Sequence, residues 1–134
     1  MPDAFVLDTS AFLALRSDEP GAERVEQILR LGRRGRARTF ASFMTRMEVL
    51  YRVSATENEE SARTALRLIE AAGVSWVSCD LEILEVAARF KARGGLSVAD
   101  AWIAATAVTK RAVLVHKDPE FGAVHDLDQE RLPS

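Results

Sequence analysis

The chain has 134 residues, 48% of them hydrophobic and 28% charged, with a formal net charge of −2. That length suits one globular domain over residues 1–134, able to bury roughly 68–70% of its unfolded surface without disulfide or metal staples. The lone cysteine, Cys79, excludes an intrachain disulfide and fits a reducing compartment, and neither a signal peptide nor a membrane-spanning apolar run is visible, so we expect a cytoplasmic protein with no membrane partner.

Ala4 to Leu7 is an apolar run of the kind a buried parallel strand shows, and it stops at Asp8. Ser10 to Arg16 reads as a first helix, so Asp8 is expected at the carboxyl edge of a sheet, where open α/β sheets bind ligands. Ser17-Asp18-Glu19-Pro20 reads as the start of a second helix, with Val25, Ile28 and Leu29 on its inner face and an end near Gly32. Residues 30–38 hold five arginines and two glycines and read as a basic loop, either a solvated one that keeps an edge soluble or one able to grip phosphates. Thr39 to Phe43 is predicted as a strand, and Thr45 opens a helix to about Ala55 with Met47, Leu50 and Tyr51 facing inward. Asn58 starts another helix, with Ala62, Ala65, Leu66 and Ile69 at helical spacing, closed by Gly73. Val74 to Ser78 is a third strand, Asp80 caps a helix that stops at Gly94-Gly95, and Ser97 caps the next, to about Lys110. Ala112 to His116 is a fourth strand, ended by the turn Lys117-Asp118-Pro119, and Ala123 to Leu127 is the candidate edge strand. Strands alternating with helices indicate parallel βαβ units, hence a three-layer α/β/α sandwich with a central parallel β-sheet.

Each acid has an ordinary structural explanation. Asp8 could cap the first helix; Glu48 and Asp100 complete the capping boxes Thr45-x-x-Glu48 and Ser97-x-x-Asp100; Asp118 precedes a proline in a turn. The surroundings of Asp100 ask for more. From Val98 to Val108 the helix is apolar nearly all round, so its only ionisable group is buried and needs a partner charge. If Asp8, Glu48, Asp100 and Asp118 meet at one sheet edge, each carboxylate pair at 4 Å costs about 1 kcal/mol in water and about 4 kcal/mol at an effective dielectric of 20. Helix N-termini offset only about 0.3–1 kcal/mol apiece. A hard divalent cation, Mg²⁺ or Mn²⁺, resolves the conflict, whereas the two histidines and one cysteine lack zinc-ligand spacing.

Four segments then carry a family likeness: Val6-Leu7-Asp8-Thr9-Ser10, Ala41-Ser42-x-x-Thr45-x-x-Glu48, Asp100-Ala101-x-Ile103-Ala104-Ala105-Thr106-Ala107, and Leu114-Val115-His116-Lys117-Asp118-x-x-Phe121. In order and spacing the chain resembles the PIN-domain ribonucleases, and in length most resembles the VapC-type toxins of prokaryotic toxin–antitoxin pairs. The resemblance implies a parallel sheet with helices on both faces, Mg²⁺ or Mn²⁺ held by Asp8, Glu48, Asp100 and Asp118, and the Ser10 hydroxyl near the metal. It further implies an RNA substrate cut to a 5′-phosphate and a 3′-hydroxyl, a homodimer, and a small antitoxin that blocks the site. His116 departs from the pattern, which usually has Thr or Ser there; it could place the acid or a water, act as an acid or base, or point away into a polar rim.

The reading is a metal-dependent endoribonuclease in which Asp8, Asp100 and Asp118 bind the metal directly or through water and Glu48 completes the shell or takes a proton from the attacking water. One alternative is a catalytically inactive PIN-like module that binds RNA or a protein partner. A haloacid-dehalogenase-like phosphatase wants Asp-x-Asp, and position 10 is serine.

Overall fold

The computed structural model describes residues 2–134. Five parallel strands form one sheet: β1 Ala4–Leu7, β2 Arg38–Ser42, β3 Ser75–Val77, β4 Val113–His116 and β5 Gln129–Arg131, in the order β3-β2-β1-β4-β5. Six helices cover it: α1 Thr9–Arg16, α2 Ala22–Arg33, α3 Phe43–Thr56, α4 Glu59–Glu70, α5 Leu81–Arg93 and α6 Val98–Thr109. The predicted three-layer α/β/α sandwich is therefore what forms.

Central β1 explains the layering. Its residues are all buried, and alternate side chains enter opposite cores because a strand has a period of two. Phe5 and Leu7 pack with Phe12, Val25, Ile28, Val49, Val53 and Ile69 of α1 to α4. Ala4 and Val6 pack with Ile83, Phe90, Ile103, Ala104 and Leu114, under α5 and α6. The small residues of α6, Ala101, Ala104, Ala105 and Ala107, let it lie close against the sheet.

The local expectations fail in five places. α2 starts after Pro20, at Ala22, because Gly21 in the left-handed region (φ 101°) serves as its N-cap without a side-chain bond. α3 starts at Phe43, capped by Ser42, whose hydroxyl accepts from the Met44 N–H at 3.2 Å. Glu48 thus lies in the second turn, and the Thr45–Glu48 capping box does not exist. Met47, Leu50 and Tyr51 face outward, 51%, 37% and 55% exposed, while Thr45, Glu48, Val49 and Val53 face inward. Counting apolar residues misphased α3 because its inner face carries two polar residues. Finally, Ala123 to Leu127 is not a strand: residues Pro119–Ala123 form a 3₁₀ turn, and the edge strand is the polar Gln129–Arg131, pinned between buried Leu127 and Leu132.

Candidate active site

Parallel strands deliver their carboxyl ends to one edge, and the segments that leave them carry the acids. Asp8 follows β1 directly and caps α1, while its own N–H donates to the Val115 carbonyl of β4 at 3.0 Å. Asp100 stands in the first turn of α6, where the Ser97 hydroxyl accepts its N–H at 3.1 Å. Here the predicted cap is correct. Glu48 comes in from α3. All three side chains are buried, at 2%, 6% and 8% exposure for Asp8, Glu48 and Asp100, and they offer carboxylate oxygens lying within 4.8 Å of one another.

A second group, Asp100, Asp118 and Glu120, meets within the same distance and shares Asp100 with the first. Asp118 caps the 3₁₀ turn by accepting the Glu120 N–H at 3.0 Å, and is half-buried. The four predicted acids therefore share one edge, but Asp118 joins it through Asp100 and Glu120. Sequence reasoning missed Glu120, which it left as an unassigned position between Pro119 and Phe121.

Two threonines to which sequence reading gave no role at the site set the direction of Glu48. The Thr9 hydroxyl lies 2.8 Å from Glu48 Oε1 and 3.0 Å from the Thr45 hydroxyl, all buried. A carboxylate only accepts, so the Thr9 proton goes to Glu48 and Thr45 donates to Thr9. The clue in the sequence was Thr45 standing three residues before Glu48, on the same helical face.

Ser10 is tied on both sides. Its N–H donates to Asp8 Oδ2 at 3.0 Å, its hydroxyl donates to the same oxygen, and its Oγ accepts from the Lys117 N–H at 2.9 Å. It bridges the ends of β1 and β4 and fixes one oxygen of Asp8. The other oxygen, Oδ1, is buried with no hydrogen-bond partner.

His116 is completely buried and does not point into a polar rim. Its Nδ1 accepts the Asp118 N–H at 3.1 Å, so the proton sits on Nε2 and is donated to Gln129 Oε1 at 2.8 Å. Gln129 Nε2 in turn donates to the Phe121 and Val124 carbonyls, at 3.0 Å each. Burial lowers the His116 pKa below 6.5, so the ring is neutral and both its nitrogens are occupied. It holds the backbone of Asp118 and the 3₁₀ turn.

Electrostatics at the edge are unfavourable in the protein alone. Burial, above all, pushes the Asp8 carboxyl from 3.8 up to about 6, with Glu48 and Asp118 adding to it and the Ser10 bonds opposing it. Burial followed by the charges of Asp8, Asp118 and Glu48 pushes Asp100 from 3.8 up to about 7. Together with the orphaned Asp8 oxygen, an all-carboxylate donor set of this kind fits a hard divalent cation.

The arginine segment lies elsewhere, and its loop is shorter than expected: Arg30 and Arg33 belong to the last turn of α2 and Arg38 to β2, which leaves residues 34–37. Arg38 pairs in register with Ala4 at the start of β1, so residues 30–38 reach the amino edge of the sheet, opposite the acids. Trp76 and Trp102 are partly buried and pack against the two cores.

The profile of the PIN domain family matches residues 5–127. Among solved structures, VapBC2 from Rickettsia felis, bound to a DNA fragment from its promoter, superposes with a TM-score of 0.76 at 18% identity, covering 97% of this chain and 99% of that one. VapBC-1 from nontypeable Haemophilus influenzae gives 0.73 at 26% identity, with 96% and 97% covered. VapC20 from Mycobacterium tuberculosis, a toxin that cleaves the sarcin–ricin loop, gives 0.69 at 16% identity, with 92% and 97% covered. No curated protein matches the chain in sequence.

Proposed function

The chain belongs to the PIN domain family, and on that premise we propose that it is a metal-dependent endoribonuclease, the toxin of a VapBC-type toxin–antitoxin pair. The observation that carries the reading is the buried meeting of Asp8, Glu48 and Asp100. Three carboxylates with so little solvent are a poor way to stabilise a fold and a good way to bind Mg²⁺ or Mn²⁺.

In this reading Asp8 and Asp100 hold the ion, Asp118 holds it directly or through water, and Glu48 completes the shell or accepts the proton of the attacking water. A bound divalent ion supplies charge stabilisation at the phosphate and a lowered pKa for water. Thr9 keeps one Glu48 oxygen occupied and leaves the other to face the edge. Ser10 does the same for Asp8 and is a positioning residue, since its hydroxyl is engaged as donor and acceptor. His116 keeps Asp118 in place from behind and moves no proton.

A small antitoxin as partner, and a second copy of this chain, follow from the same family reading. The solved VapBC structures are toxin–antitoxin assemblies, and the outward apolar residues Met47, Leu50 and Tyr51 of α3 offer a surface that a partner would cover. The test is cleavage of total RNA with Mn²⁺, Mg²⁺ or EDTA, followed by mapping of new 5′ ends. Metal-dependent cuts that Asp8→Asn and Asp100→Asn remove are expected. Metal binding by the wild type with no cut in any RNA would favour the inactive binding module.

A further inference from the structure

We propose that the amino edge of the sheet, opposite the acids, is a second docking surface for nucleic-acid phosphates, engaged by the RNA that is cut at the carboxyl edge; this rests on the ribonuclease reading. Of the 18 lysines and arginines, the nine at Arg16, Arg24, Arg30, Arg33, Arg38, Arg46, Arg63, Arg93 and Lys117 are paired with carboxylates. Lys117, the cation nearest Asp118 in sequence, is held by Glu19 at 3.2 Å and by the Pro20 carbonyl at 2.9 Å. The carboxyl edge therefore shows a polyanion carboxylates, a committed lysine and one cation without a carboxylate partner among the described residues, Arg131 beside His116 at the end of β5.

Free cations gather at the other end. Arg34 and Arg36 extend from the loop after α2, and Lys110 and Arg111 from the turn after α6; none of the four has a carboxylate partner among the described residues. The strand register brings the two segments together. Arg38 lies beside Ala4, and Val113 lies beside Phe5, so both loops flank the start of β1. Lys110 Nζ sits 5.7 Å from the ring centre of Phe40 on β2, the strand into which the loop of Arg34 and Arg36 leads. Arg34, Arg36 and Arg111 are exposed, and Gly35 (φ 72°) opens the loop to close approach. The acids nearby are Asp3, which reaches Arg38 at 3.7 Å, and Asp128, whose carbonyl accepts from Leu114.

Basic residues at helix C-termini complement the dipole, which accounts for Arg33 and for the caps Arg34 and Lys110 but not for Arg36 and Arg111, beyond the caps. Arginine forks and glycine backbone in one exposed strip match phosphate oxygens. Along β1 the strip is about 13 Å from Asp8. A short strand at the acids would miss it, and a long or folded RNA would reach both.

Binding in EDTA isolates docking from cleavage. Fluorescence anisotropy would follow bulk transfer RNA, a short single-stranded RNA and a DNA duplex against three proteins: wild type, Arg34→Ala/Arg36→Ala/Arg111→Ala, and a control with Arg52→Ala/Arg67→Ala/Arg89→Ala. The control makes the same change of net charge at exposed, unpaired arginines on other helices. The edge variant should bind transfer RNA about 10-fold more weakly at low salt, with the log–log salt slope shallower by about 2. The control and the short RNA should change little. Equal loss in the control, an unchanged salt slope in the edge variant, or a loss confined to the DNA duplex would overturn the proposal. Cleavage is scored separately: wild-type RNA cutting that disappears with EDTA supports the ribonuclease reading whichever way the edge behaves, and its absence counts against that reading without touching the binding result.

Discussion

The unfavourable electrostatics of the acidic edge make a stability prediction with an unusual sign. A carboxyl whose folded pKa is raised binds its proton more tightly in the folded chain, so its stabilising effect is complete below about pH 3.8 and drains away as pH rises through the folded value. For Asp100, raised from 3.8 to about 7, the loss between pH 5 and pH 8 is about 2–3 kcal/mol. Asp8, raised to about 6, adds about 1 kcal/mol in a titration coupled to that of Asp100. The lowered His116 pKa works the other way, because its contribution is lost as pH falls below 6.5. Comparing wild type with Asp100→Asn cancels it. Asn matches the neutral acid in shape, so in EDTA the two proteins should melt together near pH 5. At pH 8 the variant should be the more stable by about 2–3 kcal/mol, roughly 6–12 °C at this chain length. Mn²⁺ at one hundred times its dissociation constant should then raise wild-type stability by about 2.7 kcal/mol and the variant much less. Thermal melts from pH 5 to pH 8, with EDTA and with Mn²⁺, carry the test. A wild type that stays equal to or above the variant at pH 8 would refute the crowding argument, and equal metal gains would remove Asp100 from the metal site.

Other consequences are more local. Asp8→Asn and Glu48→Gln should each abolish metal-dependent RNA cleavage with unchanged circular dichroism, and wild-type rates in both folded variants would break the assignment. Thr9→Val removes the donor to Glu48 and should lower cleavage about 10-fold while an intact fold melts cooperatively. Ser10→Ala deletes the hydroxyl bond that helps hold the Asp8 pKa down, leaving the bond from the backbone N–H, so the acid limb of the pH–rate profile should move to higher pH; an unmoved limb would mean that Asp8 ionisation does not govern the rate. Expression of the wild type alone should slow growth, and co-expression of a small product of the neighbouring gene should restore it. Normal growth with abundant soluble wild type would oppose the toxin reading.

The acids were legible in the sequence because each sits where a regular pattern stops. Asp8 ends an apolar strand, and Asp100 is the lone charge in an apolar helix. Those two signals are local, and the fold class follows from the same alternation of strands and helices. Glu48 was found through a capping box that the helix does not form, since α3 begins at Phe43, two residues before Thr45. Its place was legible and the reason given for it was not. What stayed hidden depends on contacts across the chain. Thr9 meets Thr45 only when α3 packs on α1, and His116 meets Gln129 only when β5 adds to the sheet edge. β5 itself is polar and three residues long, so hydrophobic alternation had nothing to register. Of the arginine segment 30–38 only residues 34–37 form a loop, because Arg30 and Arg33 end α2 and Arg38 opens β2, and which edge it serves is a property of strand direction and not of composition.

Strand direction also explains why this fold suits the proposed chemistry. Placing β1 and β4 parallel brings Asp8 and the segment after His116 to one edge, and α6, which must run back along the sheet before β4, starts there with Asp100. The helix N-termini favour anions by about 0.3–1 kcal/mol each, well short of what crowding and burial cost Asp100 alone. The edge could have been relaxed by exposing any one acid, yet Asp8, Glu48 and Asp100 are all buried, and the bonds from Thr9 and Ser10 aim the first two. Side chains selected only for stability would not be held ionisable, oriented and short of partners at once. Under the proposed function such an arrangement calls for a positive charge, and Asp8 Oδ1, buried without a hydrogen-bond partner, is the atom placed to receive it.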